Sequence, residues 1–335
     1  MQRFVIFSSP SAQTYFVDFV LVQSSDMTLA IKSKLFQEII DGLQANPASI
    51  SPKFFYDELG SSLFQTITHL EEYYPTRVER GIMHSKLAEI TEAIAAVDVI
   101  VELGAGNCEK VRPLLDSIVP KQYRALDISV EFLEAALANL HHDYPAIDMR
   151  AIAADITQEL SFPALQDQRI LFFYPGSSIG NFTPPEASRL FSNLARECHG
   201  SGGLLLGVDL VKDIQVLERA YNDSLGVTAA FNLNALRHLN HLIGSNFSIS
   251  DWEHYAFFNQ TLDRIEMHLR AKSDQLVSWP GGHRQFHIGE MIHTENSYKY
   301  SKATFLKMLR EAGFTEVTAW TDPESNFLVC FAGFK

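Results

Sequence analysis

Val99-Ile100-Val101-Glu102-Leu103-Gly104-Ala105-Gly106-Asn107 is the stretch on which the reading of this chain turns. The first five residues form a short apolar run interrupted only by Glu102, the pattern of a buried strand. The Gly-Ala-Gly turn at its C-terminal end lets the backbone approach a ligand. A helix is expected from near Glu109, with Pro113 in its first turn or at a kink. The frame G-x-G-x-x-G has Glu109 where the third glycine of a dinucleotide fingerprint should stand, which argues against a pyrophosphate at the helix start. An acid just before the glycines, Glu102, suits instead a cationic, phosphate-free ligand such as a sulfonium.

Working outward, Tyr123 to Leu126, Met149 to Ala153, Ile170 to Phe173 and Leu204 to Val208 also read as buried strands, separated by helical stretches such as Val130 to Leu140 and Pro185 to Cys198. Strand and helix in alternation predict an α/β fold, a parallel sheet wound with helices on both faces. A helix Lys302 to Ala312 and strands Val317 to Trp320 and Phe327 to Phe331 complete that sheet. Between about Lys212 and Gly289 the alternation stops. Helices are expected over Val216 to Tyr221 and Ala229 to Leu242. A period-two run follows, Ile265, Met267 and Leu269 against Arg264, Glu266, His268 and Arg270, which predicts a half-solvated antiparallel strand in a small sheet of its own. Before the main sheet, helices are expected over Thr28 to Gln44, over Leu63 to Leu70 with Gly60-Ser61 as start signal, and over Val78 to Ala96. Glu71 to Arg77 should break the pattern because of Pro75.

The composition narrows the function. A chain of 335 residues with 46% hydrophobic content buries a full core, and its formal charge of −13, without a run of basic residues, lacks the footprint of nucleic-acid binding. Cys108, Cys198 and Cys330 lie far apart with no CxxC pair, so a reducing, cytoplasmic setting is expected and neither disulfides nor a zinc knuckle. The apolar stretch Tyr15 to Val22 contains Asp18 and reads as an extra strand or a translated leader before Met27. No run reaches the ~20 apolar residues of a membrane span. His283, His287 and His293 match no strong metal spacing, and no metal is expected.

Two acids extend the first motif. Asp127 ends the second strand at roughly the 20-residue offset from which an acid accepts ribose hydroxyls. Asp155 ends the third and suits an adenine amino group. Gly176-Ser177-Ser178-Ile179-Gly180 matches the G-x-S-x-G elbow of a serine hydrolase with Ser178 as nucleophile. An elbow should feed a helix at once, however, and Asn181-Phe182-Thr183-Pro184-Pro185 intervenes.

That same segment, extended to Asn181, carries a resemblance together with Phe55-Tyr56-Asp57, Glu72-Tyr73-Tyr74-Pro75-Thr76-Arg77, Asp209-Leu210-Val211-Lys212-Asp213, Gly226-Val227-Thr228-Ala229-Ala230-Phe231-Asn232, Arg264-Ile265-Glu266-Met267 and Thr321-Asp322-Pro323. In this order they resemble the histidine-specific Nα-methyltransferases of ergothioneine biosynthesis, from roughly Lys34 to the C-terminus. The resemblance implies a Rossmann-like class I methyltransferase sheet with a second, smaller α+β substrate domain. It divides the chain into an extension (1–27), a substrate domain (28–77 plus 212–299) and an S-adenosylmethionine domain (78–211 plus 300–335). It implies that Gly104, Lys110, Asp127 and Asp155 contact S-adenosyl-L-methionine, joined by Glu102, Gly106 and Ile156 around them. Asn181 and Tyr221, with Gly176, hold the substrate carboxylate. Tyr56, Phe64 and Tyr73 shape the pocket at the amine, Tyr56 being the one catalytic candidate. Glu295 and Ser297 read an imidazole beside Met267, with Asn296 between them.

The expected activity is methylation of the α-amine of free histidine to the trimethylated betaine, by a monomer with a small-molecule substrate. A methyltransferase of the same fold acting on another amino acid or a histidine derivative is the alternative. Without the resemblance, Glu295 with Lys299 reads as a surface ion pair, Met267 as a core filler and Tyr73-Tyr74 as an aromatic corner.

Overall fold

The computed structural model describes residues 25–128 and 130–334, with side chains from Lys34 onward except at 130 and 131. The expectation for Tyr15 to Val22 falls outside the described residues. In chain order the elements are α1 (Ser25–Gln44), β1 (Ala48–Ser49), α2 (Glu58–Ile67), α3 (Tyr74–Ser85), α4 (Leu87–Ile94), β2 (Val99–Leu103), α5 (Arg112–Ile118), β3 (Gln122–Asp127), α6 (Val130–Asp143), β4 (Asp148–Ala153), β5 (Ile170–Tyr174), α7 (Pro184–Glu197) and β6 (Gly203–Asp209). Then come α8 (Ile214–Tyr221), α9 (Val227–Ile243), β7 (Trp252–Asn259), β8 (Arg264–Ala271), β9 (Gln275–Trp279), β10 (Gly282–Phe286), β11 (Met291–Tyr298), α10 (Lys302–Glu311), β12 (Glu316–Thr321) and β13 (Phe327–Gly333).

The main sheet has seven strands in the order β12-β13-β6-β5-β2-β3-β4. The five from β6 to β4 run parallel, and β13 lies antiparallel between β12 and β6. From β2 the chain moves out to β3 and β4, then returns to place β5 on the other side of β2. This reversal opens a crevice at the C-terminal ends of β2 and β5, where open α/β sheets bind ligands. Val99, Ile100, Val101 and Leu103 are fully buried, each contributing about 1.5–3 kcal/mol, so the glycine turn leaves a firmly held strand.

A second sheet, β1-β11-β8-β7, packs under α1, α2, α8 and α9, with β9 and β10 as a separate hairpin. In it the expected half-solvated strand is corrected. β8 is an inner strand, and its polar face is buried along with its apolar one, with Glu266 at 7% and His268 at 8% exposure. That burial is tolerated because the polar groups satisfy each other. Arg264 donates to Glu266 at 2.6 Å, His268 lies 3.0 Å from Glu266, and the Phe257 ring stacks on His268.

Helix boundaries differ in three places. The expected helix over 78–96 is two, and the first begins at Tyr74, because Pro75 fits a first turn, where its missing N–H is not needed. The start of α2 is set by Asp57, whose carboxylate accepts from Gly60 N–H at 2.7 Å, and not by Gly60-Ser61. The helix after the glycine turn starts at Arg112, three residues later than Glu109, with Pro113 in its first turn. Among the described residues no helix is long and apolar enough to cross a membrane.

Candidate active site

The crevice at β2 and β5 is a cavity of about 1110 Å³, larger than the ~300–1,000 Å³ typical of a single small-molecule pocket. Its floor is the glycine turn. Gly104 and Gly106 both have positive φ (+67° and +53°), and nothing lies within 4 Å of where a Cβ would stand on either. The backbone therefore presents an open cradle that a side chain would fill. Asp127, at the end of β3, accepts from Gly106 N–H at 2.9 Å and fastens the turn from the neighbouring strand. Asp155 and Ile156, after β4, line the same cavity. Asp155 accepts from Thr157 N–H and Oγ1 at 3.0 and 2.5 Å, and Lys53, reaching over from the α1–α2 segment, lies 3.4 Å away. Although burial works against ionisation, these partners hold the Asp155 carboxyl below its ordinary range.

Glu102 behaves differently. It is 1% exposed and accepts from Tyr123 O–H at 2.5 Å. Burial pushes its carboxyl up to about 8, only partly opposed by Tyr123 and by the Lys110 charge. Where the sequence suggests an anion before the glycines, burial thus opposes ionisation of the carboxyl. Lys110 is gripped by Glu79 of α3, whose other oxygen accepts from Gly176 N–H at 2.6 Å. Glu79 so ties the loop after β2 to the loop after β5, a role its sequence context did not signal.

The cradle, the two acids at strand ends, the cation Lys110 and the buried Tyr174 hydroxyl, which has no protein partner among the described residues, form a donor and acceptor set that fits S-adenosylmethionine. Backbone and Asp127 suit the sugar, Asp155 an amino group and Lys110 a carboxylate.

Off the cavity opens an inner chamber of about 40 Å³, sharing Tyr56, Phe64, Tyr73, Gly176, Ser178 and Asn181 with it and adding Tyr221, Glu295, Ser297 and Lys299. Several separated segments meet here. Tyr56 follows a single turn at Pro52–Phe55, Phe64 lies on α2 and Tyr73 caps α3. Their rings form edge contacts: Tyr56 to Phe64 at 5.8 Å, Phe64 to Tyr73 at 6.4 Å and Tyr73 to Tyr221 at 6.2 Å. Phe231 of α9 closes the group from behind, 5.7 Å from Tyr56. Tyr221 ends α8, its carbonyl held by His254 at 2.8 Å, and Asn232 holds the other nitrogen of His254 at the same distance.

Asn181 closes the 3₁₀ turn Ser178–Asn181. Gly180 lets that turn lie against β11, since a Cβ there would stand 3.1 Å from the Tyr298 carbonyl and 3.2 Å from Ser297 Oγ. The glycine thereby joins a turn of the main sheet to a strand of the small one.

Glu295 and Ser297 owe their direction to a β-bulge. His293 pairs with His268 and Glu295 with Met267, so Thr294 is an extra residue in β11, its Oγ1 donating to the Met267 carbonyl at 3.0 Å. The bulge shifts the alternation, putting Glu295 and Ser297 on the same face as Ile292 and Asn296 on the opposite one, where its amide oxygen accepts from His293 Nε2 at 2.8 Å. Bulges that re-aim side chains recur beside active sites. Burial pushes the Glu295 carboxyl up to about 8, with Lys299 opposing. Burial also raises Tyr56, Tyr73 and Tyr221 well above the ordinary tyrosine range.

A buried charge cluster forms part of the chamber wall. Asp209, at the end of β6 and 1% exposed, accepts from Tyr74 O–H at 2.7 and 2.8 Å, from Lys212, and from Lys299 at 2.9 Å. The two lysines hold it below its ordinary range against the cost of burial.

All the expected cofactor residues, Glu102, Gly104, Gly106, Lys110, Asp127, Asp155 and Ile156, line the large cavity. Of the expected substrate residues, all but Met267 line the inner chamber. Met267 is 2% exposed in the core of the small sheet, directly across from Glu295, and supports that residue from beneath. Glu295 and Lys299 are buried, which removes the surface-pair reading. Ser178 Oγ lies 3.5 Å from the Pro175 carbonyl, with no histidine bonded to it among the described residues, and α7 starts only at Pro184 after the Thr183–Glu186 capping box. A serine nucleophile lacks its base here.

Residues 35–333 match the family described as histidine-specific, SAM-dependent methyltransferases. The chain is 40% identical over 299 residues to a histidine N-alpha-methyltransferase of Mycolicibacterium smegmatis, covering 88% of this chain and 92% of that protein. It is 37% identical to the Mycobacterium tuberculosis protein of the same name, with the same coverage. It is 31% identical to ergothioneine biosynthesis protein 1 of Neurospora crassa, across 82% of this chain and 32% of that longer protein.

Proposed function

Since the chain belongs to the SAM-dependent, histidine-specific methyltransferases, we propose that it methylates the α-amino nitrogen of free L-histidine, successively to the trimethylated betaine used in ergothioneine biosynthesis. The observation that carries this reading is the inner chamber: an amide, hydroxyls, a carboxyl and three aromatic rings converge beside the glycine cradle.

When bound, S-adenosyl-L-methionine supplies an electrophilic methyl group on a sulfonium. Gly104, Gly106 and Asp127 would hold its sugar side, Asp155 with Ile156 the base and Lys110 its carboxylate, with Glu102 beneath the glycine turn. The protein's work is then largely positional, and holding an amine in line with a reactive group is worth up to ~7–11 kcal/mol. Asn181 and the Gly176 loop orient the substrate carboxylate, with the Tyr221 ring beside them. Glu295 and Ser297 take the ring. A Glu295 carboxyl that holds its proton and a neutral imidazole carry the same total charge as carboxylate and imidazolium, so the ring can be seated without importing net charge.

Tyr56, Phe64 and Tyr73 surround the amine. Aromatic faces attract quaternary ammonium, which favours each more methylated state and keeps the intermediate seated for the next round. Tyr56 is the catalytic candidate, shaping the site and offering its hydroxyl to the amine.

We propose a substrate domain of 28–77 plus 212–299 and a cofactor domain of 78–211 plus 300–335, a division that the separate cores on either side of the site support. A cytoplasmic monomer is the supported setting: the three cysteines are buried and unpaired, and the exposed large apolar side chains are scattered over separate elements.

The test is to incubate the protein and S-adenosylmethionine with each of the twenty amino acids and weigh the products. Histidine should gain mass in steps of one methyl. Mass gain on tryptophan alone, or on no amino acid, overturns the assignment.

A further inference from the structure

Lys299 is 3% exposed and lies two residues beyond Ser297 on the strand that carries the ring contacts. An ammonium has three hydrogens to place. All three are committed: to Asp209 Oδ2 at 2.9 Å, to Ser297 Oγ at 2.9 Å and to the Tyr221 hydroxyl at 3.2 Å. Tyr221 O–H in turn donates to Ser297 Oγ at 2.8 Å.

A serine hydroxyl has two acceptor positions and one hydrogen. On Ser297 both acceptor positions are filled, one by Lys299 and one by Tyr221. Its own hydrogen must then point away from both, and Ser297 lines the inner chamber. An ammonium has no acceptor atom, so this polarity cannot reverse, and Asp209 is its counter-charge.

We propose that Lys299 sets the ring specificity of the chamber by holding Ser297 as a hydrogen-bond donor toward a ring nitrogen that bears no proton. Glu295, on the same face of β11, supplies the complementary contact to the ring N–H. Together they demand a ring with one bare nitrogen and one protonated nitrogen, the signature of a neutral imidazole. Without Lys299, Ser297 regains an acceptor site and can turn to serve either kind of ring. Lys299 is thus a positioning residue that acts through Ser297. The inference rests on the histidine reading above and adds the origin of its selectivity.

The test compares histidine with two ring analogues, a thiazolylalanine, which keeps a bare nitrogen and has no ring N–H, and a pyrrolylalanine, which keeps the N–H and has no bare nitrogen. The kcat/KM for each is measured in the parent protein, in Lys299→Met and in Lys299→Gln, the last keeping an N–H donor without charge should the methionine variant fail to fold. S-adenosylmethionine affinity is measured alongside by calorimetry.

The parent should prefer histidine over pyrrolylalanine and should accept thiazolylalanine better than pyrrolylalanine. That preference for bare-nitrogen rings should fall at least about tenfold in Lys299→Met and less in Lys299→Gln, with cofactor affinity held within about twofold; a site built around a polar contact discriminates strongly only while the contact's polarity is fixed. In a Ser297→Ala background the Lys299 substitutions should leave the preference unchanged. Three results overturn the proposal: an unchanged preference in both variants, an equal loss toward all three substrates, or a Lys299 effect that persists at full size without Ser297. Failure of the parent to methylate histidine is a separate result, which removes the functional reading itself.

Discussion

The cofactor cavity and the inner chamber share walls, yet the same chemical group behaves oppositely in them. In the cavity Asp155 reaches solvent and backbone donors and stays ionised below its ordinary range. Some residues away, Glu295 is enclosed by rings and hydroxyls, and its carboxyl holds a proton up to about 8. The cavity is made largely of turns at strand ends. The chamber is made of side chains from several separated segments, some of them charged and buried. Burial and the charged partners within reach, more than residue type, decide what an acid does at this site, as the equally buried Asp209 shows between its two lysines.

The sharpest way to break this contrast is at the cradle. Gly104→Val places a branched side chain at φ +67° and into the cavity, combining backbone strain of ~1–3 kcal/mol with direct obstruction. Cofactor affinity by calorimetry should fall by at least about 100-fold. A variant that binds the cofactor normally would show that the turn is not its seat. Next in size is Glu295→Ala, which removes the ring acceptor from the chamber alone. The kcat/KM for histidine should fall about 10- to 100-fold, from the ~1–3 kcal/mol cost of an unpaired buried polar group, while cofactor affinity stays within about twofold. Equal losses in both would mean the two regions are not separate.

A third measurement sharpens the comparison through stability. The Glu295 carboxyl titrates at about 8 in the folded protein against an ordinary 4.5, so the folded state binds its proton more tightly than the unfolded chain. Stability from this group is therefore lost as pH rises from about 4.5 to about 8. Glu295→Gln has nothing to lose. Its Tm should exceed the parent's by several degrees at pH 8 and approach the parent's toward pH 5. A difference that grows toward acid pH has the wrong sign for a buried, protonated carboxyl. The smallest effect belongs to Asn296→Ala, on the outer face of β11. Histidine kcat/KM should change by less than about twofold, and a larger drop would mean that the bulge at Thr294 does not orient the strand as described.

The cavity was readable in advance because its parts are local. A strand, two glycines and acids at the ends of successive strands follow from short-range pattern, and the parallel order of the sheet does the rest. The chamber residues came from resemblance, since no spacing rule links Tyr56, Asn181, Tyr221 and Glu295. Glu79 and Tyr174 escaped notice altogether, Asp209 entered only inside a motif of the resemblance, and Lys299 only as a surface partner of Glu295. Each carries an ordinary polar or aromatic side chain in an ordinary element, and its meaning lies in partners far along the chain, as when Tyr74 meets Asp209. The alternation in β8 was read correctly, but its polar face was assigned to solvent, because the sequence does not say that Arg264 and Glu266 neutralise each other under Phe257.

What the linear order of residues determined by itself is the parallel sheet and its glycine turn, since hydrophobic period and backbone freedom are properties of neighbours. Strict alternation along Met291–Tyr298 would set Ile292 with Thr294 and Asn296, and His293 with Glu295 and Ser297. Folding decided otherwise: one extra residue at Thr294, accommodated against the Met267 carbonyl, turns Glu295 and Ser297 inward. Register is a relation between strands, fixed by which partner a strand finds, and for that reason it emerged only in three dimensions.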